Sequence, residues 1–282
     1  MGKPGKIKIG QAITAEQKEL FLRSLMREMN SVLVAYSGGV DSSYLALIAT
    51  QELTENALCV TGISPSVSDA QQKQAKKIAR DFNFNHVTIQ TEELENPDYK
   101  SNPANRCYFC KDELYGKLRP IARDANIEFI LDGANADDVG DYRPGRKAAT
   151  ENGVRSPLIE AGLTKDEIRE LSRGQNLPTW DEPASPCLSS RIAYGLPVTI
   201  ERLSKIERGE EFMRSLGFRE FRVRVHNELV RLEIAPAEMD RAFEPGTTEK
   251  LASKFRKLGF KYVTIDLHGF RSGAMNEVLE IE

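Results

Sequence analysis

No stretch of this 282-residue chain approaches the roughly 20 apolar residues that a membrane-crossing helix needs. The opening Met1-Gly2-Lys3-Pro4-Gly5-Lys6 has no apolar signal core, so a cytoplasmic protein without a membrane partner is expected. Positive charge is not in excess: the formal net charge is −3, with 29% charged residues. That balance leaves nothing to hold a long nucleic acid; it disfavours RNA without excluding a local basic patch. Cysteine is scarce, at four residues, which in a reducing compartment points to metal-binding, catalytic or buried thiols rather than disulfides. None of the three histidines has a ligand-like partner in sequence, and His226 beside Asn227 reads as a turn residue. Internal repeats and low-complexity tracts are absent. The length suffices for one large or two medium domains, each with its own core.

What the chain does have is Val32-Leu33-Val34-Ala35-Tyr36-Ser37-Gly38-Gly39-Val40-Asp41-Ser42-Ser43, which reads as a buried strand, a glycine turn and the start of a helix. Adjacent Gly38 and Gly39 let the backbone approach a bound group and adopt conformations that a side chain forbids. The unpaired amides opening the helix, and its dipole, favour phosphate or pyrophosphate, with the hydroxyls of Ser37, Ser42 and Ser43 around them. Asp41 conflicts with an anion unless magnesium bridges the two. The stretch lacks the lysine and four-residue spacer of the GxxxxGKS/T loop. It resembles instead the PP-loop, SGGxDS, of ATP pyrophosphatases. That resemblance implies cleavage of ATP between its α and β phosphates, transfer of AMP to a substrate oxygen, and release of pyrophosphate. A ligand-free glycine turn is the plainer alternative, and the match of Ser37, Asp41 and Ser42 as well as both glycines argues against it.

Residues Met1 to Ile13 read as a mobile leader. Thr14-Ala15-Glu16-Gln17 is a capping box for a helix to about Met29, with Leu20, Phe21, Leu25 and Met29 on one face. After the loop a helix is expected from Ser43 to about Leu53. Strands are expected at Ala57 to Ile63, His86 to Gln90 and Glu128 to Leu131, alternating with helices from Ser68 to about Phe82 and from about Tyr108 to Ala125. The alternation predicts an α/β fold with a doubly wound parallel sheet, whose ligands sit at the carboxyl ends of the strands. Thr164-Lys165-Asp166-Glu167 caps a further helix to Gly174, so this first domain spans 14–176. Residues 177–198, with four prolines, form a linker too long for a bland connector. A smaller α/β unit is expected over 199–282. It comprises a helix from Thr199 to Leu216, strands Glu220 to Val225 and Leu229 to Ala235 joined by a tight hairpin at Asn227-Glu228, a helix from about Thr248 to Leu258 and a last strand from Tyr262 to Asp266.

Asp132-Gly133-Ala134-Asn135-Ala136-Asp137-Asp138-Val139-Gly140-Asp141 is an acidic loop on the same sheet edge as Ser37. It is either a solvated turn or a contact for magnesium or ATP, with Asp138 the best candidate. Cys107-Tyr108-Phe109-Cys110 is a CxxC pair at a helix start, where thiolates are favoured. Alone it is a redox pair, half of a zinc site or a coincidence; a complete zinc site wants a second close pair, which is absent. The partner that best fits is Cys187, in Pro186-Cys187-Leu188-Ser189-Ser190-Arg191. Three thiolates can hold a 4Fe-4S cluster with one iron open to substrate or sulfide. Cys59, inside a buried strand, reads as packing.

The Ser37 loop, Asn105-Arg106-Cys107-Tyr108-Phe109-Cys110-Lys111, the Gly133 to Asp138 loop and Pro186-Cys187-Leu188-Ser189-Ser190-Arg191-Ile192 occur in that order. Together they resemble the LarE family, the ATP-dependent sulfur transferases that make the nickel-pincer nucleotide cofactor of lactate racemase. The resemblance covers essentially the whole chain, and the cysteine-bearing PCLSSRI segment is its more specific sign. It implies adenylation of a carboxylate of pyridinium-3,5-biscarboxylic acid mononucleotide and displacement of AMP by sulfur to leave a thiocarboxylate. Family members with one cysteine sacrifice its sulfur. Members with all three, as here, are implied to carry a cluster that delivers inorganic or carrier-derived sulfide, making Cys187 a ligand rather than a donor. The resemblance also implies a homo-oligomer, of which a hexamer is one form.

Further site residues follow. Arg222 and Arg224 alternate on a strand and face one side, suited to clamping a nucleotide phosphate; an exposed sheet face is the alternative. Ser190 and Arg191 follow Cys187 closely and could contact phosphate or adenylate. Glu211 reads as a solvent-facing helix glutamate. The nearest rival function is a PP-loop tRNA thiolase, then an ammonia-dependent synthetase, then a nucleotide-binding or zinc-stabilised module with structural cysteines.

Overall fold

A computed structural model of the chain describes residues 13–140, 144–183, 185–271, 273–275 and 277. The expected leader, apart from Ile13, lies outside the described residues, as do Asp141 of the acidic loop and Ala184 near Cys187. The Thr14 capping box forms: Thr14 accepts from the Gln17 amide, and the Gln17 side chain accepts from the Thr14 amide, opening α1 (Ala15–Met29). The chain then runs through β1 (Val32–Ala35), α2 (Val40–Leu53), β2 (Ala57–Ile63), α3 (Asp69–Asp81), β3 (Asn85–Gln90), α4 (Pro97–Lys100), α5 (Arg106–Asp124) and β4 (Phe129–Leu131). Helices α6 (Pro144–Glu151), α7 (Pro157–Glu160) and α8 (Lys165–Gly174) follow.

The four strands form a parallel sheet in the order β3-β2-β1-β4. Side chains alternate along a strand, and β1 is buried on both faces. Val32 and Val34 pack with Leu22, Met26 and Tyr44, while Leu33 and Ala35 pack with Tyr115 and Leu118. This explains the uninterrupted apolar run and establishes the doubly wound arrangement. The strand order reverses beside β1: the chain steps outward to β2 and β3, then returns to place β4 on the other side. The loops leaving β1 and β4 therefore diverge at a switch point, where such folds bind ligands.

Two boundaries differ from expectation in ways that matter. Helix α2 starts at Val40 rather than Ser43, because Gly39 in extended backbone takes the cap position, and this puts Asp41 in the first turn. Helix α5 starts at Arg106, which places Cys107 and Cys110 one turn apart on a shared face. Helix α6 has no counterpart in the sequence expectations.

The remainder forms a second core around α9 (Ile200–Ser215), β5 (Phe221–His226), β6 (Leu229–Ile234), α10 (Met239–Ala242), α11 (Pro245–Lys257) and β7 (Tyr262–Ile265). Strands β5 and β6 pair antiparallel through the two-residue turn Asn227-Glu228, with Asn227 at φ 58°, as a tight hairpin requires. Strand β7 joins β6 in parallel. Ile206, Met213, Val223, Leu232 and Phe255 fill this core, and Tyr99, Leu188 and Ile192 enter it from earlier segments.

Candidate active site

Gly38 stands at φ 79°, and a Cβ there would lie 2.7 Å from Ala75 Cβ of α3, so the turn requires glycine. Gly39 makes no side-chain cap bond, which leaves the first amides of α2 without a competing side chain. Ser37 Oγ lies 2.9 Å from Ser42 Oγ, and Ser42 Oγ donates to Gly39 O at 3.2 Å. From the β4 side, a Cβ on Gly133 would be 2.9 Å from Ser42 N. The two loops of the switch point are thus in backbone contact.

Asp41 Oδ2 pairs with Lys165 Nζ of α8 at 2.5 Å. Its Oδ1 is buried and has no hydrogen-bond partner among the described residues. A carboxylate with an unpartnered buried oxygen, beside a turn whose amides suit phosphate, has the donor chemistry that magnesium takes. Asp138 is buried and accepts the Asn135 amide at 3.0 Å, so its side chain helps to shape the β4 loop. Asp132, which the sequence does not single out, accepts from Tyr115 Oη at 3.1 Å and Ser156 Oγ at 2.7 Å.

Cys107, Cys110 and Cys187 are free thiols. Burial, then the neighbouring Cys187, pushes the Cys110 thiol up, and the same two causes act on the sulfur of Cys107, although that residue as a whole is exposed. Arg106 is buried beside them and donates to Asn102 Oδ1. Burial opposes its charge, but the Cys187 and Cys107 thiols hold its pKa up. Among the described residues no three His, Cys, Asp or Glu side chains gather tightly enough for a single metal ion. A donor set of three thiols rather than four is the kind that would leave one iron of a cluster open. Cys59, in β2, is pushed up to about 12 by burial and serves as packing.

The arginines depart from one of the two sequence expectations. Arg222 and Arg224 are 8% and 6% exposed, so the exposed-face alternative is overturned. Each is also engaged within the protein. Arg224 donates to Ser190 O at 3.0 Å and pairs with Glu233 at 2.9 Å. Arg222 stacks over Phe270 at 4.7 Å, and burial, then nearby Arg191, lowers its pKa to about 10. Arg191 pairs with Glu210 at 2.8 Å and donates to the carbonyls of Pro186 at 2.6 Å and Cys187 at 3.0 Å. Ser190 Oγ closes the same turn by donating to Cys187 O at 2.8 Å. A cavity of about 160 Å³ opens here, lined by Arg191, Arg214, Arg219 and Arg222 against Glu182 and Glu210. Its cationic excess suits a phosphate.

Glu211 is exposed, as expected. Glu210 is the residue missed: it is 5% exposed and falls on the core stripe Leu203, Ile206, Met213, a signal present in the helical spacing. Helix α3 connects the two regions. Ala75 meets Gly38, Gln71 Nε2 donates to Ser185 O at 2.6 Å and Gln74 donates to Glu182.

The NAD synthase family model matches residues 14–119, the part that carries the Ser37 turn. An uncharacterized protein of Synechocystis sp. is 43% identical, over 94% of this chain and 98% of the relative. The pyridinium-3,5-bisthiocarboxylic acid mononucleotide synthase of Lactiplantibacillus plantarum is 34% identical, over 94% of this chain and 96% of the relative. An uncharacterized protein of Methanocaldococcus jannaschii is 31% identical, over 90% of this chain and 99% of the relative.

Proposed function

The chain belongs to the LarE family of ATP-dependent sulfur transferases, and from that membership we propose the reaction it carries out. ATP adenylates a carboxylate of pyridinium-3,5-biscarboxylic acid mononucleotide, and sulfur replaces AMP to give the thiocarboxylate used for the nickel-pincer cofactor of lactate racemase. The observation that carries the reading is a PP-loop turn at the switch point joined through α3 to the segment that carries Cys187.

In the first step the substrate carboxylate oxygen attacks the α phosphorus, and the bond to the bridging oxygen breaks as pyrophosphate leaves. Ser37, Gly38, Gly39 and Ser42 hold the phosphates through hydroxyls and amides. Asp41 would hold a magnesium ion, which would supply positive charge against the departing pyrophosphate. In the second step hydrosulfide forms the new carbon–sulfur bond, and AMP leaves with the electron pair of the carbon–oxygen bond. Cys107, Cys110 and Cys187 would hold a 4Fe-4S cluster, whose chemistry there would be delivery of sulfide. Arg191, Arg222 and Arg224, with Ser190, orient the nucleotide phosphate of the substrate beside these thiols.

Iron and acid-labile sulfide in anaerobically purified protein test the cluster. The reading expects both, lost together in Cys107→Ser and Cys187→Ser and retained in Cys59→Ser. Zinc without sulfide overturns it. The reaction is placed in the cytoplasm, where thiols stay reduced; no helix among the described residues is long and apolar enough to cross a membrane.

A further inference from the structure

Three buried hydroxyls from three distant segments meet beside the cysteines. Tyr99 Oη lies 2.8 Å from Ser66 Oγ and 2.7 Å from Ser189 Oγ, and Ser189 Oγ donates to Ser66 Oγ at 3.1 Å, closing a ring. Tyr99, Ser66 and Ser189 are 1%, 2% and 0% exposed, so no water competes for these bonds. Each hydroxyl donates one bond and accepts one, and closed rings of this kind strengthen cooperatively.

The ring joins the parts of the chain that carry the thiols. Ser189 is two residues from Cys187, and the adjacent Leu188 amide donates to Ser66 O at 2.8 Å. Tyr99 belongs to α4, which leads directly into the CxxC pair. Asn102 fixes that lead by donating to Ala193 O at 2.8 Å.

We propose that Tyr99, through its ring with Ser66 and Ser189, is a positioning residue that fixes the Cys187 segment against the Cys107–Cys110 turn. The turn at Leu188–Arg191 is closed within its own segment by Arg191 and Ser190, and the ring ties that segment to α4 and to Ser66. The role rests on the sulfur-transfer reading for its purpose, although the geometry and its test do not depend on iron or sulfide.

The test is alkylation of individual cysteines in the full chain, purified without added iron or sulfide and followed by peptide mass spectrometry. Breaking two hydrogen bonds of modest net strength should raise Cys187 labelling roughly five- to tenfold in Tyr99→Phe. Ser66→Ala should act the same way, and the double variant should add little beyond either. Cys59, sealed in the β2 core, should stay unlabelled in all of them. Unchanged Cys187 labelling overturns the proposal, and so does a parallel rise at Cys59, which would mark general loosening. If Cys187 responds as expected while no cluster is ever found, the positioning role stands and only its purpose changes.

Discussion

Arg191 Nε and Glu210 Oε1 form an ion pair at 2.8 Å with side chains 2% and 6% exposed. Removing one partner of such a pair strands the other charge in the interior, and the loss is about 3–5 kcal/mol. Glu210→Ala should lower the urea midpoint accordingly, whereas Glu211→Ala next to it should change stability by less than about 0.5 kcal/mol. Equal effects would contradict the placement of Glu210 inside.

The contact between Gly133 and Ser42 predicts a second loss. A Cβ 2.9 Å from Ser42 N meets backbone on both sides, so neither loop can yield cheaply. Gly133→Ala should destabilise the chain by about 1–3 kcal/mol and weaken ATP binding in equilibrium dialysis. Asp41→Asn, which keeps the shape of the turn, gives up the part-exposed Lys165 ion pair at a cost of about 1 kcal/mol or less, and should slow pyrophosphate release roughly 10²-fold or more. Retention of full activity in Asp41→Asn would remove the magnesium role.

Arg222 is a cation lowered to about 10 by burial and then by Arg191, a cost that a bound anion relieves. Saturating inorganic phosphate should raise the melting temperature by roughly 2 °C or more, and Arg222→Gln should reduce the shift. A phosphate effect of the same size in the variant would place the anion elsewhere.

His86 and His226 are held below the ordinary histidine value of 6.5, each mainly by burial, with Lys76 adding at His86 and Arg231 at His226. Below that value of 6.5 the unfolded chain takes up protons that the folded chain refuses. Their contribution is complete above 6.5 and declines as pH falls below it. Urea midpoints should therefore be lower at about pH 5.5 than at about pH 7.5, with a shallower slope in His86→Gln. A slope of the opposite sign would contradict the burial of these rings.

What was legible in the sequence was contiguous. Ser37 to Ser42 carries its own turn chemistry within six positions, the alternation of apolar strands and capped helices announced the parallel sheet, and Asn227-Glu228 gave the hairpin its turn. What was illegible depends on closure of distant chain. Asp41 meets Lys165 across 124 positions, Tyr99 meets Ser189 across 90, and Arg191 finds Glu210 19 residues on. Local pattern cannot register such pairs, although the place of Glu210 on an apolar helix stripe marked it as a buried charge in need of one. Arg222 and Arg224 show the same limit: their alternation located a shared face, and only the packing showed that face to be inside.

Anaerobic turnover with ATP, pyridinium-3,5-biscarboxylic acid mononucleotide and excess sulfide, followed by mass spectrometry of both product and protein, tests the central claim most directly. The account predicts several thiocarboxylate products per chain, one pyrophosphate released for each, and Cys187 unchanged in mass. A single turnover with loss of sulfur from Cys187 would contradict it.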